Sequence, residues 1–356
     1  MRSRKKWMGI LATMLVFGFT LMGCGAFTDM NKILNYLSLA ERVGRSASGP
    51  VPLAVKINLD SDWGNLLNTI NSAGVYVNLD LSSSIMTNTE FHPGENGSEY
   101  IVSLVLPDVA SIAGDFNIFP NLTSISLPAS ADIGEVNPFV GCTSLTFKLR
   151  NRGDLSAIEQ GKALVRGGSE LVAYPSASGS VTISEITAVG RSAFNGAGLE
   201  SISLPSVTTV GVRAFRGCEN LKTVNLPAAT TIGDEAFYAN KSLQALNIPA
   251  ATTIGDNAAA NTGGTDLTIT VGQQIATIGT GMFNEVGERK NVTVRAPQSE
   301  VENITAIRDA IRGRGWNEGS FTLAAQTTRT IGSGWWAETV RSNNFNSNIN
   351  LTVEGY

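Results

Sequence analysis

The sequence predicts an α/β fold that is mainly β, in which short parallel strands stack as the coils of a solenoid. Charged residues make up 16% of the chain and hydrophobic residues 42%, a composition that argues against disorder. One heptapeptide pattern recurs at a step of 22 residues (221 − 199 and 243 − 221), as Leu199-Glu-Ser-Ile-Ser-Leu-Pro205, Leu221-Lys-Thr-Val-Asn-Leu-Pro227 and Leu243-Gln-Ala-Leu-Asn-Ile-Pro249. The second half of each unit recurs as well, as Val/Ile-Gly followed by Ala-Phe or Ala-Ala. A fixed period of this size indicates a repeat architecture.

Each unit contains the signals that a coil needs. Apolar residues alternate with a polar one in Ile202-Ser-Leu204, which predicts a short strand with its apolar side inward. The proline that follows cannot continue a hydrogen-bonded ladder, so the strand ends there. A threonine pair then leads to a glycine that we expect to turn the chain, and the Ala-Phe pair returns inward. One unit cannot bury its own apolar side, whereas stacked units can, with parallel strands about 4.8 Å apart.

These units resemble the BspA-like leucine-rich repeats of bacterial surface proteins, whose consensus is roughly L-x-x-I-x-L-P-x-x-x-x-x-I-G-x-x-A-F-x-x-C. The match is specific over residues 199–261 and looser over residues 101–284. The resemblance implies a leucine-rich-repeat solenoid with units of about 21–23 residues. It also implies a cell-surface role in adhesion or host-protein binding, whereas the periodicity alone implies only a solenoid.

The N-terminus has the pattern of an export signal. Residues 1–6 are basic and residues 7–22 are apolar, a length typical of a signal peptide and shorter than the roughly 20 apolar residues of a membrane span. The sequence Leu21-Met22-Gly23-Cys24 resembles a bacterial lipobox, which implies cleavage before Cys24 and acylation of its thiol and amine. An uncleaved anchor, or an ordinary signal peptide with a chance cysteine, is the alternative. The residue after the cysteine is Gly25 rather than Asp, which resembles proteins exported to the outer membrane. We therefore expect a lipid-anchored protein of the bacterial cell envelope, at the outer membrane or exposed on the cell surface.

These signals divide the chain into six segments. They are a lipoprotein signal peptide (1–23), a lipid-anchored segment and linker (24–52), an N-terminal cap of strand, helix and strand (53–100), the repeats with an irregular insertion near 150–180 (101–290), a C-terminal cap (291–316) and a tail of unknown fold (317–356). The caps would shield the open edges of the stack.

Apolar residues at helical spacing predict helices over residues 28–43, 61–73 and 299–312. The first would lie near the lipid and either pack on the protein or act as a simple tether, with an amphipathic contact to the membrane surface as the alternative. The candidate N-caps are Thr28, Ser61 and Ser299, and Gly74 is expected to end the second helix. Residues 163–165 and 170–174 flank Gly167-Gly168-Ser169 and predict a hairpin. In the tail, residues 321–328 and 348–353 are strand candidates that could pair.

Charge and cysteine content exclude several classes of function. Without residues 1–23 the chain has 26 − 4 = 22 basic and 30 acidic residues, a formal charge of −8, with no basic cluster. This argues against nucleic acid and anionic membrane surfaces as partners. Cys142 and Cys218 lie 218 − 142 = 76 residues apart, or about 17 Å along the stack, beyond the roughly 7 Å that a disulfide allows. We expect them to be separate buried thiols in a slot that Asn240 and Ala197 fill in other coils.

No motif indicates catalysis. The one histidine, His92, lies in a polar turn, and the chain has no G-x-S-x-G elbow, Walker A motif, H-E-x-x-H motif or EF-hand spacing. The carboxylates Asp234, Glu235 and Asp256 fall in the repeat turn and are interpreted as solvated turn or cap residues. The sequence therefore predicts no enzyme, no catalytic residue, no metal and no cofactor.

Two surfaces are candidates for binding. The strands present outward a ribbon of small residues without charge or aromatic rings: Ser103, Val105, Ser124, Ser126, Ser201, Ser203, Thr223, Asn225, Ala245, Asn247, Thr268 and Thr270. Binding hot spots are usually Trp, Tyr or Arg, so this ribbon is a poor anchor unless many copies act together. Better candidates are Arg213, Arg216 and Tyr238 on the convex side, and Trp335 and Trp336 in the tail. Burial of the tryptophan pair against the end of the stack is the alternative to a ligand platform.

The predicted function is that of a lipid-anchored surface interaction protein whose partner is a protein of the host, as in adhesion. An alternative is a structural or envelope-assembly lipoprotein that binds a bacterial envelope protein in the periplasm. A third hypothesis is a glycan binder that uses Trp335 and Trp336. The membrane would be contacted through the N-terminal lipid, and no nucleic acid is expected.

Overall fold

The fold is described here from a computed structural model, which covers residues 26–41, 46–134, 136–262, 266–271, 277–279, 290–296, 320–327, 334–340 and 349–355. The predicted signal peptide, Cys24 and the predicted helix at 299–312 lie outside the described residues. The chain forms two compact units. Unit 1 comprises residues up to 134 together with 144–153, and unit 2 comprises 135–143 together with residues from 154 onward.

Among its described residues, unit 1 has two helices and a parallel sheet. The helices are α1 (Met30–Glu41) and α2 (Leu59–Ala73), and residues Phe116–Ile118 form a 3-10 turn. The strands are β1 (Val51–Ala54), β2 (Val77–Asp80), β3 (Glu90–Phe91), β4 (Ile101–Val105), β5 (Ser111–Ile112), β6 (Ser124–Pro128) and β7 (Thr146–Arg150). The main sheet has the order β1-β2-β4-β6-β7, β3 pairs with β5, and every pair is parallel. Neither helix is long and apolar enough to cross a membrane, among the residues described.

The two helices begin at caps other than those predicted. Asn58, not Ser61, caps α2, because its Oδ1 accepts a hydrogen bond from the Asp60 amide at 3.0 Å. Asp29, not Thr28, caps α1, because its Oδ1 accepts from the Asn31 amide at 2.8 Å. Both are Asx side chains that bond the second helical residue, a geometry that Asn and Asp favour. The predicted end of α2 at Gly74 is confirmed by the left-handed backbone there, with φ of 62°.

Unit 2 is built from two long ladders. The first has the order β20-β18-β16-β14-β12-β10-β9-β8 and the second β11-β13-β15-β17-β19-β21-β24-β22-β23. The strands are β8 (Leu155–Ile158), β9 (Ala163–Arg166), β10 (Glu170–Ala173), β11 (Ser178–Thr182), β12 (Ala188–Val189), β13 (Gly198–Ser203), β14 (Thr209–Val210), β15 (Thr223–Asn225), β16 (Thr231–Ile232), β17 (Ala245–Ile248), β18 (Thr253–Ile254), β19 (Asp266–Val271), β20 (Thr277–Ile278), β21 (Lys290–Ala296), β22 (Ser320–Thr327), β23 (Gly334–Val340) and β24 (Ile349–Gly355). Residues Glu159–Gly161 form a 3-10 turn.

The stacked coils of the prediction are confirmed. Equivalent apolar residues of successive coils are paired in parallel register, as in Ile202↔Val224↔Leu246↔Ile269. Inside the stack, aromatic rings lie one above another along the coils. The centroids of Tyr174 and Phe194 are 5.7 Å apart, those of Phe194 and Phe215 are 4.9 Å apart, and those of Phe215 and Phe237 are 5.3 Å apart. The repeat therefore buries its apolar side as stacking requires.

The irregular regions also form strands. The hairpin predicted around Gly167-Gly168-Ser169 is confirmed as the antiparallel pair β9–β10, and the sequence missed β8, which pairs with β9 on its other side. In the tail, the predicted pairing of the two strand candidates is confirmed, with Phe321 opposite Leu351 in the parallel pair β22–β24. Because β24 also pairs with β21, the second ladder continues through residues for which the sequence predicted no fold.

The glycine of each repeat has a different role from the one predicted. Gly211, Gly233 and Gly255 have no positive φ, so they do not turn the chain in the way that only glycine can. Instead, a Cβ built on Gly233 would lie 2.7 Å from the carbonyl carbon of Gly211, and one on Gly255 would lie 2.7 Å from that of Gly233. Neighbouring coils therefore approach too closely here for any side chain.

Cys142 and Cys218 are buried thiols, as predicted. The Cys218 thiol donates a hydrogen bond to the Phe194 carbonyl, with 3.1 Å between Sγ and O. Burial raises the pKa of Cys218 to about 12, because the thiolate would lose its hydration. This thiol is therefore unreactive at neutral pH in the folded protein.

The glycine column gives a prediction for stability. We expect Gly233→Ala to lower the free energy of unfolding by about 1–3 kcal/mol, because the new methyl group forces the coils apart. The measurement is urea denaturation. The matched control is Ala239→Gly, since Ala239 has φ of 60° where the preceding coils have Gly196 and Gly217. Removing that left-handed strain is expected to raise the free energy of unfolding by about 1 kcal/mol. A neutral Gly233→Ala variant would contradict the close-approach explanation.

Candidate interaction surface

The turn that follows each short strand of the first ladder is held in place by the next coil. The Arg213 amide donates to the Asp234 carbonyl at 2.9 Å, the Phe215 amide to Ala236 at 2.8 Å and the Gly217 amide to Tyr238 at 2.8 Å. These bonds make a further hydrogen-bonded face between the coils. The backbone that carries Arg213, Arg216 and Tyr238 is therefore rigidly placed.

Four side chains on this face form one connected group, which we call the arginine cluster: Arg213, Arg216, Glu235 and Tyr238. Arg213 binds the Glu235 carboxylate through two bonds, Nε to Oε2 at 3.0 Å and Nη2 to Oε1 at 3.1 Å. Arg216 Nη1 donates to the same Oε2 at 2.7 Å. The guanidinium carbon of Arg216 lies 4.8 Å from the centroid of the Tyr238 ring, a cation–π contact. All three residues that the sequence singled out here are thus brought together.

The more exposed groups of the arginine cluster are its positively charged ones. The bidentate hydrogen bonds from Arg213 are the largest cause that lowers the pKa of Glu235, and the pKa of Arg213 is raised in return. The carboxylate is the least accessible of the charged groups, with 24% of its side chain exposed against 43% for Arg213 and 36% for Arg216. Two guanidinium groups against one carboxylate leave a net positive charge, held in a fixed orientation.

Glu235 differs from its prediction. The sequence predicts a solvated turn or cap residue here, but Glu235 is the centre of the ion-pair network. The signal that would have found it is the period itself, because 235 − 213 = 22 places Glu235 one coil after Arg213. Tyr238 follows Arg216 by the same 22 residues (238 − 216), and so does Lys222 after Glu200 (222 − 200), a pair joined at 3.8 Å.

Polar side chains of the outward ribbon of small residues form hydrogen bonds with residues of neighbouring coils. In unit 2, Asn225 Nδ2 donates to Ser203 Oγ at 3.1 Å, and Asn247 Nδ2 donates to Asn225 Oδ1 at 2.6 Å. In unit 1, Ser103 donates to Asn78 Oδ1 at 2.8 Å, and Ser126 is buried rather than outward as predicted. Polar groups that bond one another have fewer free donors and acceptors for a ligand. The low binding strength expected of this ribbon stays a prediction.

The remaining candidates are placed only in part. Trp335 and Trp336 lie in β23, opposite Gln326 and Ala325 of β22, and their side chains lie outside the described structure. Cys24 lies outside the described residues as well. His92 accepts a hydrogen bond at Nδ1 from the Gly94 amide at 3.0 Å and is an exposed loop residue. In the part of the chain that the structure describes, no group of three or more His, Cys, Asp or Glu side chains could hold a metal ion.

The ion-pair network gives a prediction for pH dependence. Because the pKa of Glu235 is lowered on folding, its ion pairs stabilise the folded state above the usual pKa of 4.5 and are lost as the pH falls through the folded value. We expect Glu235→Gln to lower the free energy of unfolding by about 1 kcal/mol at neutral pH. The difference from the unsubstituted protein should shrink steadily below the usual pKa.

Chemical denaturation at a series of pH values measures this difference. The matched control is Glu219→Gln, which removes an exposed pair with Lys241 whose atoms are 3.7 Å apart. That control should have no measurable effect, because both of its side chains are mostly in solvent. A Glu235→Gln difference that stays constant down to strongly acidic pH would contradict the ion-pair explanation.

Comparison with known proteins gives one family match and several similar solved structures. Residues 178–305 match the family model of the BspA type leucine rich repeat region, in six copies. No curated protein matches the chain. Similar solved structures include the pneumococcal vaccine antigen PcpA (14% identity, 67% of this chain and 77% of the other, TM-score 0.36) and a leucine rich cell surface protein from Faecalibacterium prausnitzii A2-165 (18%, 72% and 77%, TM-score 0.36). A leucine-rich repeat protein from Eubacterium ventriosum ATCC 27560 is a third (15%, 68% and 90%, TM-score 0.34).

Stacked parallel coils with a 22-residue step and six matched repeats lead to the same assignment. Leucine-rich repeat solenoids of this kind are scaffolds for binding proteins, because stacking creates extended surfaces. Residues 178–305 of this chain belong to the BspA type of leucine-rich repeats.

Proposed function

We propose that this chain is a lipid-anchored protein of the bacterial cell surface that binds a host protein, with the arginine cluster as the anchor of its binding surface. The observation that carries the proposal is the exposed, pre-ordered pair of guanidinium groups on a BspA-type repeat. Arg and Tyr are typical hot-spot residues, and an arginine that is already ordered loses less entropy on binding. The role is binding rather than catalysis.

The chemistry of the cluster favours a partner surface that carries carboxylates. Glu235 occupies one edge of each guanidinium group, so Arg213 Nη1 and Arg216 Nη2 remain outside the bonds within the cluster. Paired donors of this kind recognise carboxylate oxygens. The acidic balance of the rest of the chain would repel acidic partners elsewhere, which favours one orientation of docking.

The anchor is supported by the lipobox-like sequence that ends at Cys24. Acylation would bring several hydrocarbon chains to this residue, and each buried CH₂ contributes about 0.8 kcal/mol to membrane binding. Surface exposure distinguishes this proposal from a role in envelope assembly within the periplasm. The two differ in which side of the envelope carries the repeats.

Protease shaving of intact cells tests the location. We expect an epitope in residues 335–356 to be lost while a periplasmic protein, the control for lysis, stays intact. The purified protein must first be shown to be cleaved under the same conditions. If the epitope survives until the envelope is opened, the host-binding proposal is wrong and the partner should be sought among envelope proteins.

Charge-matched variants test the binding surface. We expect Arg213→Ala/Arg216→Ala to weaken binding to immobilised extracellular-matrix and plasma proteins by at least about tenfold, as loss of a hot spot does. The control is Lys222→Ala/Lys241→Ala, which removes the same charge from the exposed pairs with Glu200 and Glu219. Affinities are measured by surface plasmon resonance. Equal losses in both double variants would show that only net charge matters and would contradict the proposed anchor.

A further inference from the structure

The N-terminal end of unit 1 is folded almost up to the residue that we propose to be acylated. Phe27 pairs with the end of β1, since its amide donates to the Ala54 carbonyl at 2.8 Å and its carbonyl accepts from the Lys56 amide at 2.7 Å. Its ring lies 5.2 Å from that of Tyr36, and the Tyr36 hydroxyl donates to the Pro52 carbonyl at 3.0 Å. Residues from Phe27 onward are therefore tied to the body of the protein.

Helix α1 packs on the same unit instead of acting as a free tether. Ile33, Leu37 and Ala40 are fully buried, and the helix contacts α2. These three residues share one side of the helix, because they are spaced by three and four positions. The opposite side faces away from unit 1.

That opposite side has an unusual composition for this acidic chain. It presents Asn31, Asn35 and Ser38, flanked by Leu34 and Leu39, whose exposed fractions are 42% and 47%. Lys32 is the only charged residue within the helix before Glu41 at its end. Asn31, Asn35 and Ser38 carry no carboxylate, and with exposed leucines at its margins this surface suits the headgroup region of a bilayer.

Chain length then restricts where this surface can be. Cys24 and Phe27 are separated by three Cα–Cα steps of about 3.8 Å, so their Cα atoms lie within about 11 Å whatever the conformation between them. An acylated Cys24 is held at the membrane surface, and hence the edge of β1 and the start of α1 are held there too.

We propose that the outward face of α1 is a membrane-contact surface, and that unit 1 lies directly against the bilayer in which Cys24 is anchored. This inference rests on the proposed acylation of Cys24. The occupant of the α1 face is the lipid bilayer itself, which the covalent chain brings within reach. The lipid anchor thus orients the protein as well as attaching it.

Site-specific fluorescence quenching tests the contact. Asn35→Cys places a label on the α1 face, and Lys148→Cys places one at an exposed position of β7, four strands or about 19 Å from β1 in the same sheet. Acylated Cys24 carries no free thiol, and the two remaining thiols, Cys142 and Cys218, are both buried, so labelling is selective. The full-length acylated variants are reconstituted into phosphatidylcholine vesicles that contain a doxyl-labelled lipid. We expect at least twofold stronger quenching at position 35 than at position 148.

A linker variant separates tether length from other causes of contact. A flexible insert of 20 Gly and Ser residues between Gly25 and Ala26 has a root-mean-square span of about 25 Å. It should lower the quenching at position 35 to that at position 148 without changing the fold. Quenching that persists with the insert would overturn the claim that the short chain imposes the contact.

The outcomes also distinguish the two proposals. Mass spectrometry of the Cys24 peptide and flotation of the Cys24→Ser variant report acylation directly. If Cys24 carries no acyl chain, both the lipid anchor and the membrane contact are wrong. If Cys24 is acylated and positions 35 and 148 are quenched equally, only the membrane contact of α1 is overturned.

Discussion

The register between successive coils is the constraint on which unit 2 depends. Equivalent positions of neighbouring coils are hydrogen-bonded at the strands and again at the turns, as between Phe215 and Ala236. The interior rings of Phe194, Phe215 and Phe237 then stack at close distance. This spacing leaves no room for a side chain at the glycine column, so a single methyl group at Gly233 acts against the whole stack.

The same register also brings charged side chains of neighbouring coils together on the surface. Because each residue lies beside the one that follows it by one period, a charge in one coil can pair with a residue about 22 positions away in sequence. Arg213 with Glu235 and Glu219 with Lys241 are pairs of this kind (235 − 213 = 22 and 241 − 219 = 22). Arg213 binds Glu235 through two hydrogen bonds, and Arg216 binds the same carboxylate. These bonds hold the side chains of the arginine cluster in a more fixed orientation than the single contact between Glu219 and Lys241 does. Repetition thus creates both the core and the arginine cluster.

The N-terminal edge of the sheet in unit 1 is covered by other residues of the same unit. An exposed strand edge is a liability, and the backbone of Phe27 pairs beside the end of β1 while α1 packs on the unit through Ile33 and Leu37. The residues that cover this edge are also the residues next to the proposed lipid. In our proposal, the same residues therefore shield the edge of the sheet and orient unit 1 at the membrane.

The sequence by itself determined the period, the inward strand residues, the hairpin at Gly167-Gly168 and the buried thiols, because these follow from local pattern and coil length. Tertiary structure decided the rest. Asn58 is the N-cap of the helix where the sequence predicted Ser61, because Asn and Ser have similar N-cap propensities and the local pattern does not decide between them. In the tail, β24 pairs with β21 and β22 pairs with β24, and because many residues separate these partners in sequence, no local pattern predicted their order. Glu235 became an ion-pair centre only because stacking placed it between two arginines, a contact that arises between coils and not within one.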